Sequence, residues 1–348
     1  MTIGESQKKT SPLTILVDRR YLFVLFFLGL LSILFSACEG RRENVISGNT
    51  MGTTYSIKYL GEKIIEKERV DHLLDSFNQV LSTYIPNSHI NQFNHKYDSF
   101  LQGVCHPWLL NIAAESKNIW QITEGYFDIS AAPLFNAYGF GEAQKQEIDS
   151  LLRDSLLQLV GMDKLLITQN VLRKKNYFTQ INANAIAKGY GVDVLADFLV
   201  RRGVTNYLVE IGGELRACGK NSRGQWWKVG INKPYPGASS SSQIKQVSLK
   251  NRSVATSGNY RNYYLQKGKK IVHTINPKTG LAEETNMISA SILSKSCLEA
   301  DAYATAAMAM GVPKCLNFLE QKNLSAYLVF KRGNEWQDTI LGSFAFFD

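Results

Sequence analysis

Cysteine is scarce in this chain of 348 residues: there are five, and none falls at a spacing that reads as a zinc site or a thiol nucleophile. With Cys38 set aside, Cys105, Cys218, Cys297 and Cys315 remain, an even number that would allow three pairings in an oxidising compartment, although buried free thiols are the expected state. The sequence also lacks a glycine-rich loop of the P-loop kind and a Gly-x-Ser-x-Gly elbow, which excludes those two routes to nucleotide and ester hydrolysis. It has no internal repeat and no heptads, so neither a solenoid nor a coiled coil is expected. Its basic residues are not interleaved with aromatics, which argues against a nucleic-acid partner. The apolar run from Tyr21 to about Ala37 is short for a membrane span and stops abruptly at Cys38-Glu39-Gly40-Arg41-Arg42.

What is present is ordinary for a packed globular protein: 45% hydrophobic and 20% charged residues. The formal charge is +9, and it falls to +7 when residues 1–37 are removed with Lys8, Lys9, Arg19, Arg20, Glu5 and Asp18. A basic surface of this size suits an anionic cofactor or membrane. Arg19-Arg20 ahead of an apolar run mark residues 1–37 as a signal peptide. Leu34-Phe35-Ser36-Ala37-Cys38 resembles a bacterial lipobox, with Phe35 in place of the usual aliphatic residue. The resemblance implies a lipid anchor at Cys38, a linker over 38–46 and a folded domain over 47–348, held at the periplasmic side of a bacterial envelope membrane. An uncleaved anchor helix is the alternative.

Along the chain, alternation from Ser47 to Leu60 predicts a strand, and helical spacing predicts helices over Lys63–Thr83, Trp108–Thr123, Asp149–Val160 and Ala187–Arg202. A hairpin is expected in Leu165–Ile181, turning near Arg173–Asn176. Further strands are expected in Tyr207–Cys218 around a glycine corner, and over Trp226–Asn232, Val247–Thr256, Arg261–Gln266 and Ile271–Ile275. An Ala-rich helix over Leu298–Met310 stops at Gly311-Val312-Pro313, and a helix near Lys314–Gln321 and strands at Ala326–Lys331 and near Thr339–Phe347 follow. Hairpins with intervening helices, rather than a regular βαβ series, predict an α+β fold with mixed, largely antiparallel sheets.

Two stretches carry the chemistry. Ile181-Asn182-Ala183-Asn184-Ala185-Ile186-Ala187-Lys188-Gly189-Tyr190 puts small residues and one lysine at a helix start, where free N–H groups and the dipole favour an anion such as phosphate. In Cys297-Leu298-Glu299-Ala300-Asp301-Ala302-Tyr303-Ala304-Thr305-Ala306, a carboxylate and a hydroxyl lie four apart on one face of an otherwise apolar helix. Asp301 and Thr305 can therefore aim oxygens at a single hard cation. Burying them without a partner would cost a few kcal/mol.

Together with Met51-Gly52-Thr53, Ser82-Thr83-Tyr84, Phe127-Asp128 to Pro133-Leu134, Glu210-Ile211-Gly212-Gly213-Glu214, Ser257-Gly258-Asn259-Tyr260 and His273-Thr274-Ile275-Asn276-Pro277-Lys278-Thr279-Gly280, these stretches resemble the FAD:protein FMN transferase (ApbE) family in order and spacing. The resemblance implies a flavin site between sub-lobes, with Mg²⁺ held by Asp301, Thr305 and the Ala185 carbonyl, and FAD as substrate. It implies FAD contacts from Met51, Tyr84, Tyr126, Phe127, Asp128, Asn182, Lys188, His273 and Ile275, with His273 or Asp301 as catalytic base. Asn182 and Asn276 stand where the family carries aspartates. The implied reaction moves FMN to a Thr or Ser hydroxyl of an exported acceptor protein with an Asp-x-x-Thr/Ser-Gly-Ala-Thr/Ser type sequence and releases AMP. An FAD pyrophosphatase and a flavin-binding lipoprotein without turnover are the alternatives.

Overall fold

The computed structural model describes residues 42–95, 105–141, 145–232, 234, 243–259, 263–266, 269–272, 274–282, 285–344 and 346–347. The expected signal peptide, Cys38 and linker residues 39–41 lie outside them, as does His273, while Glu43–Ile46 of the expected linker belong to the first strand. Residues 42–348 cluster as one unit, in keeping with a sequence that marks no inner boundary.

The folded part begins with β1 (Glu43–Thr50) and β2 (Thr53–Leu60), a hairpin where the alternation predicts one strand. Met51 and Gly52 make the two-residue turn, with φ of 50° and 71°. Positive φ at both central positions is what such a hairpin demands, and Met gives no turn signal in sequence. The first helices are α1 (Lys67–Leu81), α2 (His89–His95), α3 (Pro107–Ile122), α4 (Ala132–Ala137) and α5 (Ser150–Leu157). The small hairpin β3 (Leu165–Ile167) and β4 (Leu172–Lys174) turns at 168–171, earlier than expected. Next come α6 (Ala187–Val200), β5 (Tyr207–Ile211), β6 (Glu214–Cys218), β7 (Trp227–Asn232), β8 (Gln243–Leu249), β9 (Ser253–Gly258), β10 (Tyr263–Gln266) and β11 (Lys269–Val272). The chain closes with β12 (Met287–Ser294), α7 (Cys297–Met310), α8 (Val312–Gln321), β13 (Ser325–Arg332), β14 (Glu335–Leu341) and β15 (Phe346–Phe347).

Eight strands form one sheet in the order β1-β2-β5-β6-β9-β12-β13-β14, and every neighbouring pair is antiparallel. The expected α+β class is what is found. β13 shows how the sheet is covered on both faces: Ala326 and Leu328 point into the large core with α7, α8 and α3, while Tyr327 and Val329 point into a second core with β7 and β8. The central β12 is buried at all eight positions, Ser289, Ser291 and Ser294 included, so its alternation in sequence does not mark a solvent face. Cys105, Cys297 and Cys315 are buried and Cys218 half-buried, all as free thiols. Among the described residues no helix is long and apolar enough to cross a membrane.

Candidate active site

Helices α6 and α7 meet unusually closely, and the sequence explains why they can. A Cβ on Gly189 would lie 2.4 Å from the Cys297 carbonyl oxygen and 2.8 Å from Asp301 Cβ, so only glycine fits at the crossing. The two helices also cap one another. Asp193 of α6 accepts hydrogen bonds from the Cys297 and Leu298 amides at 3.0 and 2.9 Å, satisfying the start of α7. In return Asp301 Oδ2 accepts from the Gly189 amide in the first turn of α6, at 3.0 Å. Arg216 from β6 steadies this arrangement through Asp193, at 2.8 Å.

This exchange alters the expected phosphate cradle. The amides of Ile186 and Ala187 donate to the Ala183 carbonyl, and the Asn184 amide donates to Asn182 Oδ1. Gly189 is given to Asp301. The anion at the start of α6 is therefore the protein's own carboxylate.

Asp301 and Thr305, which the four-residue spacing sets on one face, line one pocket with Ala185, the residue that the family resemblance adds to them. Thr305 Oγ1 donates toward the Ala185 carbonyl at 3.4 Å and lies 3.4 Å from Ser257 Oγ. Asp301 is 2% exposed, and burial raises its carboxyl pKa against the opposing pull of Lys188 and the Gly189 amide. Lys188 Nζ pairs with Glu214 Oε1 at 3.1 Å. Burial would lower the lysine, but Asp301 and Glu214 outweigh it, so the ammonium is held above its ordinary value. Glu214 is pushed up to about 8, by burial first, with Lys188 opposing. Its Oε2 is buried without a hydrogen-bond partner among the described residues. One ammonium thus serves two buried carboxyls beside a hydroxyl and a carbonyl. This is a hard-oxygen donor set, and it fits a divalent cation of the Mg²⁺ kind. Among the described residues no three His, Cys, Asp or Glu side chains gather as a metal cluster, and the predicted donors include only one such residue.

These groups form one side of a pocket of about 510 Å³, within the range of small-molecule sites. Of the predicted contacts, Tyr84, Tyr126, Phe127, Asp128, Asn182, Lys188 and Ile275 all line it. Tyr84 is 69% exposed, a ring with its face available for stacking. Asp128 is buried, caps a short 3-10 helix over Ile129–Ala131 and accepts from the Ser130 amide and hydroxyl at 2.8 and 2.6 Å. Burial raises its pKa to about 6, with the Ser130 bonds opposing. Met51 is not among the lining residues: its side chain packs between two cores, with Cε over Gly191 of α6. His273 lies outside the described residues, while its chain neighbour Thr274 lines the pocket.

Glu214, Phe135 and Phe140 also line the pocket and were not foreseen as site residues. For Glu214 a signal existed. An acid directly after the Gly212-Gly213 corner opens a strand whose neighbours point inward, and both glycines have positive φ, so the carboxylate is delivered to the hairpin tip.

The ApbE family model matches residues 51–328. The chain belongs to the ApbE family. A relative from Vibrio cholerae named FAD:protein FMN transferase is 34% identical over 322 residues, covering 90% of this chain and 95% of the relative. One of the same name from Haemophilus influenzae is 33% identical and covers 86% and 90%. The solved Flavin Transferase ApbE from Vibrio cholerae superposes with a TM-score of 0.78 at 31% identity, covering 87% of this chain and 98% of that one. Membership in the ApbE family fits a pocket that joins aromatic walls to a buried acid–lysine–hydroxyl set.

Proposed function

We propose that this FAD:protein FMN transferase acts with Mg²⁺ on a Thr or Ser hydroxyl of an exported acceptor protein and releases AMP. The observation that carries the reading is the meeting of Thr305, Asp301 and the Ala185 carbonyl beside Lys188 and Glu214, under the rings of Tyr84, Tyr126 and Phe127.

Asp301, Thr305 and the Ala185 carbonyl would hold the ion, and the Gly189 amide fixes Asp301 for that task. When bound, Mg²⁺ supplies neutralisation of charge on the diphosphate oxygens. Lys188, kept charged by its two carboxyl neighbours, offers a fixed positive charge to the same diphosphate. Tyr84 and Tyr126 would provide faces for the isoalloxazine, and Asn182 would hydrogen-bond a ribose or adenine edge. The acceptor hydroxyl oxygen bonds to the FMN-side phosphorus, and the bond from that phosphorus to the bridging oxygen breaks. AMP leaves with that oxygen, and the hydroxyl proton passes to His273 or Asp301. Of the two, His273 is the better base, because Asp301 is committed to Gly189 and to the ion.

Residues 1–37 act in this reading as a signal peptide, and Cys38 carries the lipid that holds the enzyme at the periplasmic face. Incubation with FAD, Mg²⁺ and several exported acceptors should add one FMN mass to an acceptor Thr or Ser. No adduct on any of them would defeat the reading. AMP released equally fast without acceptor would instead make the chain an FAD pyrophosphatase.

A further inference from the structure

At the outer edge of the pocket, two ammonium groups flank a single ring. Tyr126 is delivered there by a strained turn: Glu124 and Gly125 have φ of 53° and 83°, and the Gly125 amide caps α3 through the Trp120 carbonyl at 2.8 Å. Lys278 Nζ lies 4.9 Å from the centre of the Tyr126 ring and Lys314 Nζ 5.3 Å from it. Lys314 also donates to the Tyr126 hydroxyl at 2.6 Å. The three residues come from distant parts of the chain.

Lys314 occupies the first turn of α8, whose positive dipole end disfavours a cation. Lys278 rides on a tight loop, with its own amide on Asn276 Oδ1 at 3.0 Å and the Asn276 amide on the Leu281 carbonyl at 2.9 Å. Among the described residues neither lysine has a carboxylate within ion-pair distance, and Glu124 is the acid that acts on Lys314 at longer range. Both lysines are exposed and neither lines the pocket.

We infer that Lys278 and Lys314, both held against Tyr126, form a docking point for an acidic side chain of the acceptor protein, next to the hydroxyl that receives FMN. The occupant is a polypeptide carboxylate, chosen by charge complementarity with a rim that joins two ammonium groups to a helix start. This rests on the transferase reading above. It adds a surface that selects the protein substrate and leaves FAD alone.

The test uses the full chain and an exported protein shown to gain FMN from it. Lys278→Glu/Lys314→Glu should raise the KM for that acceptor by about tenfold or more and weaken its dependence on salt, with the KM for FAD changed less than about twofold. Lys278→Arg/Lys314→Arg should stay within about threefold of the parent. Changing the acceptor's acidic residues near the modified hydroxyl to amides should reproduce the KM effect on the parent enzyme and add little on the charge-reversed one. An unchanged acceptor KM in the charge-reversed variant, with FMN transfer intact, overturns this inference alone. No transfer by the parent enzyme to any exported protein would overturn the transferase reading, and this inference with it.

Discussion

Gly189→Ala separates the effect of helix approach on chemistry from its effect on stability. The added Cβ would stand 2.4 Å from the Cys297 carbonyl oxygen, against an ordinary contact of 3.4 Å or more, so α6 and α7 must part by about 1 Å. Overpacking of this kind costs about 1–3 kcal/mol. Alanine in place of glycine inside a helix returns about 1 kcal/mol. The net loss is then about 0–2 kcal/mol, a fall of a few degrees in the unfolding midpoint at this chain length. The same shift moves Asp301 off the Gly189 amide and Thr305 away from Ala185, and a misplacement of about 1 Å can cost about 100-fold in rate. The measurements are thermal unfolding and acceptor flavinylation at fixed FAD and Mg²⁺. Gly191→Ala is the control: its Cβ would meet Met51 Cε at 2.8 Å, the far end of a flexible side chain that can move aside. Flavinylation by Gly189→Ala within twofold of the parent would refute the claim that this crossing sets the site.

Asp301→Asn keeps an oxygen for the Gly189 amide but loses the charge; the unfolding midpoint should hold while turnover falls by about 100-fold or more, with partial recovery at raised Mg²⁺. Lys188→Ala strands two buried carboxyls and should destabilise by about 3 kcal/mol in chemical denaturation, and adding Glu214→Ala should restore part of that loss. Asp128 has a folded pKa of about 6 against an ordinary 3.8, so the folded state binds the extra proton between these values. Its contribution is fully present below about pH 4 and is lost as pH rises through 6, about 3 kcal/mol in all. Asp128→Asn, which still accepts from Ser130, should therefore gain about that much on the parent between pH 4 and pH 7, and equal pH dependence in the two proteins would contradict it.

Long amphipathic or Ala-rich helices were legible to within a few residues, because their period and their stops are local. What escaped had non-local causes. β12 is buried on both faces because two layers cover it, its serines Ser289, Ser291 and Ser294 included, and the β1–β2 turn rests on a methionine at positive φ. The pairing of Asp301 with Thr305 could be read from helical spacing alone. That Asp301 would occupy the start of α6, and that Glu214 would share Lys188, could not, since these bonds join residues far apart in the chain.

The mutual capping of α6 and α7 ties together segments more than one hundred residues apart, 104 and 112 by their hydrogen bonds. A nascent chain that ends before α7 therefore lacks Asp301 and Thr305, and it leaves the first turn of α6 without its carboxylate. Closure of the site must therefore await almost the last stage of synthesis.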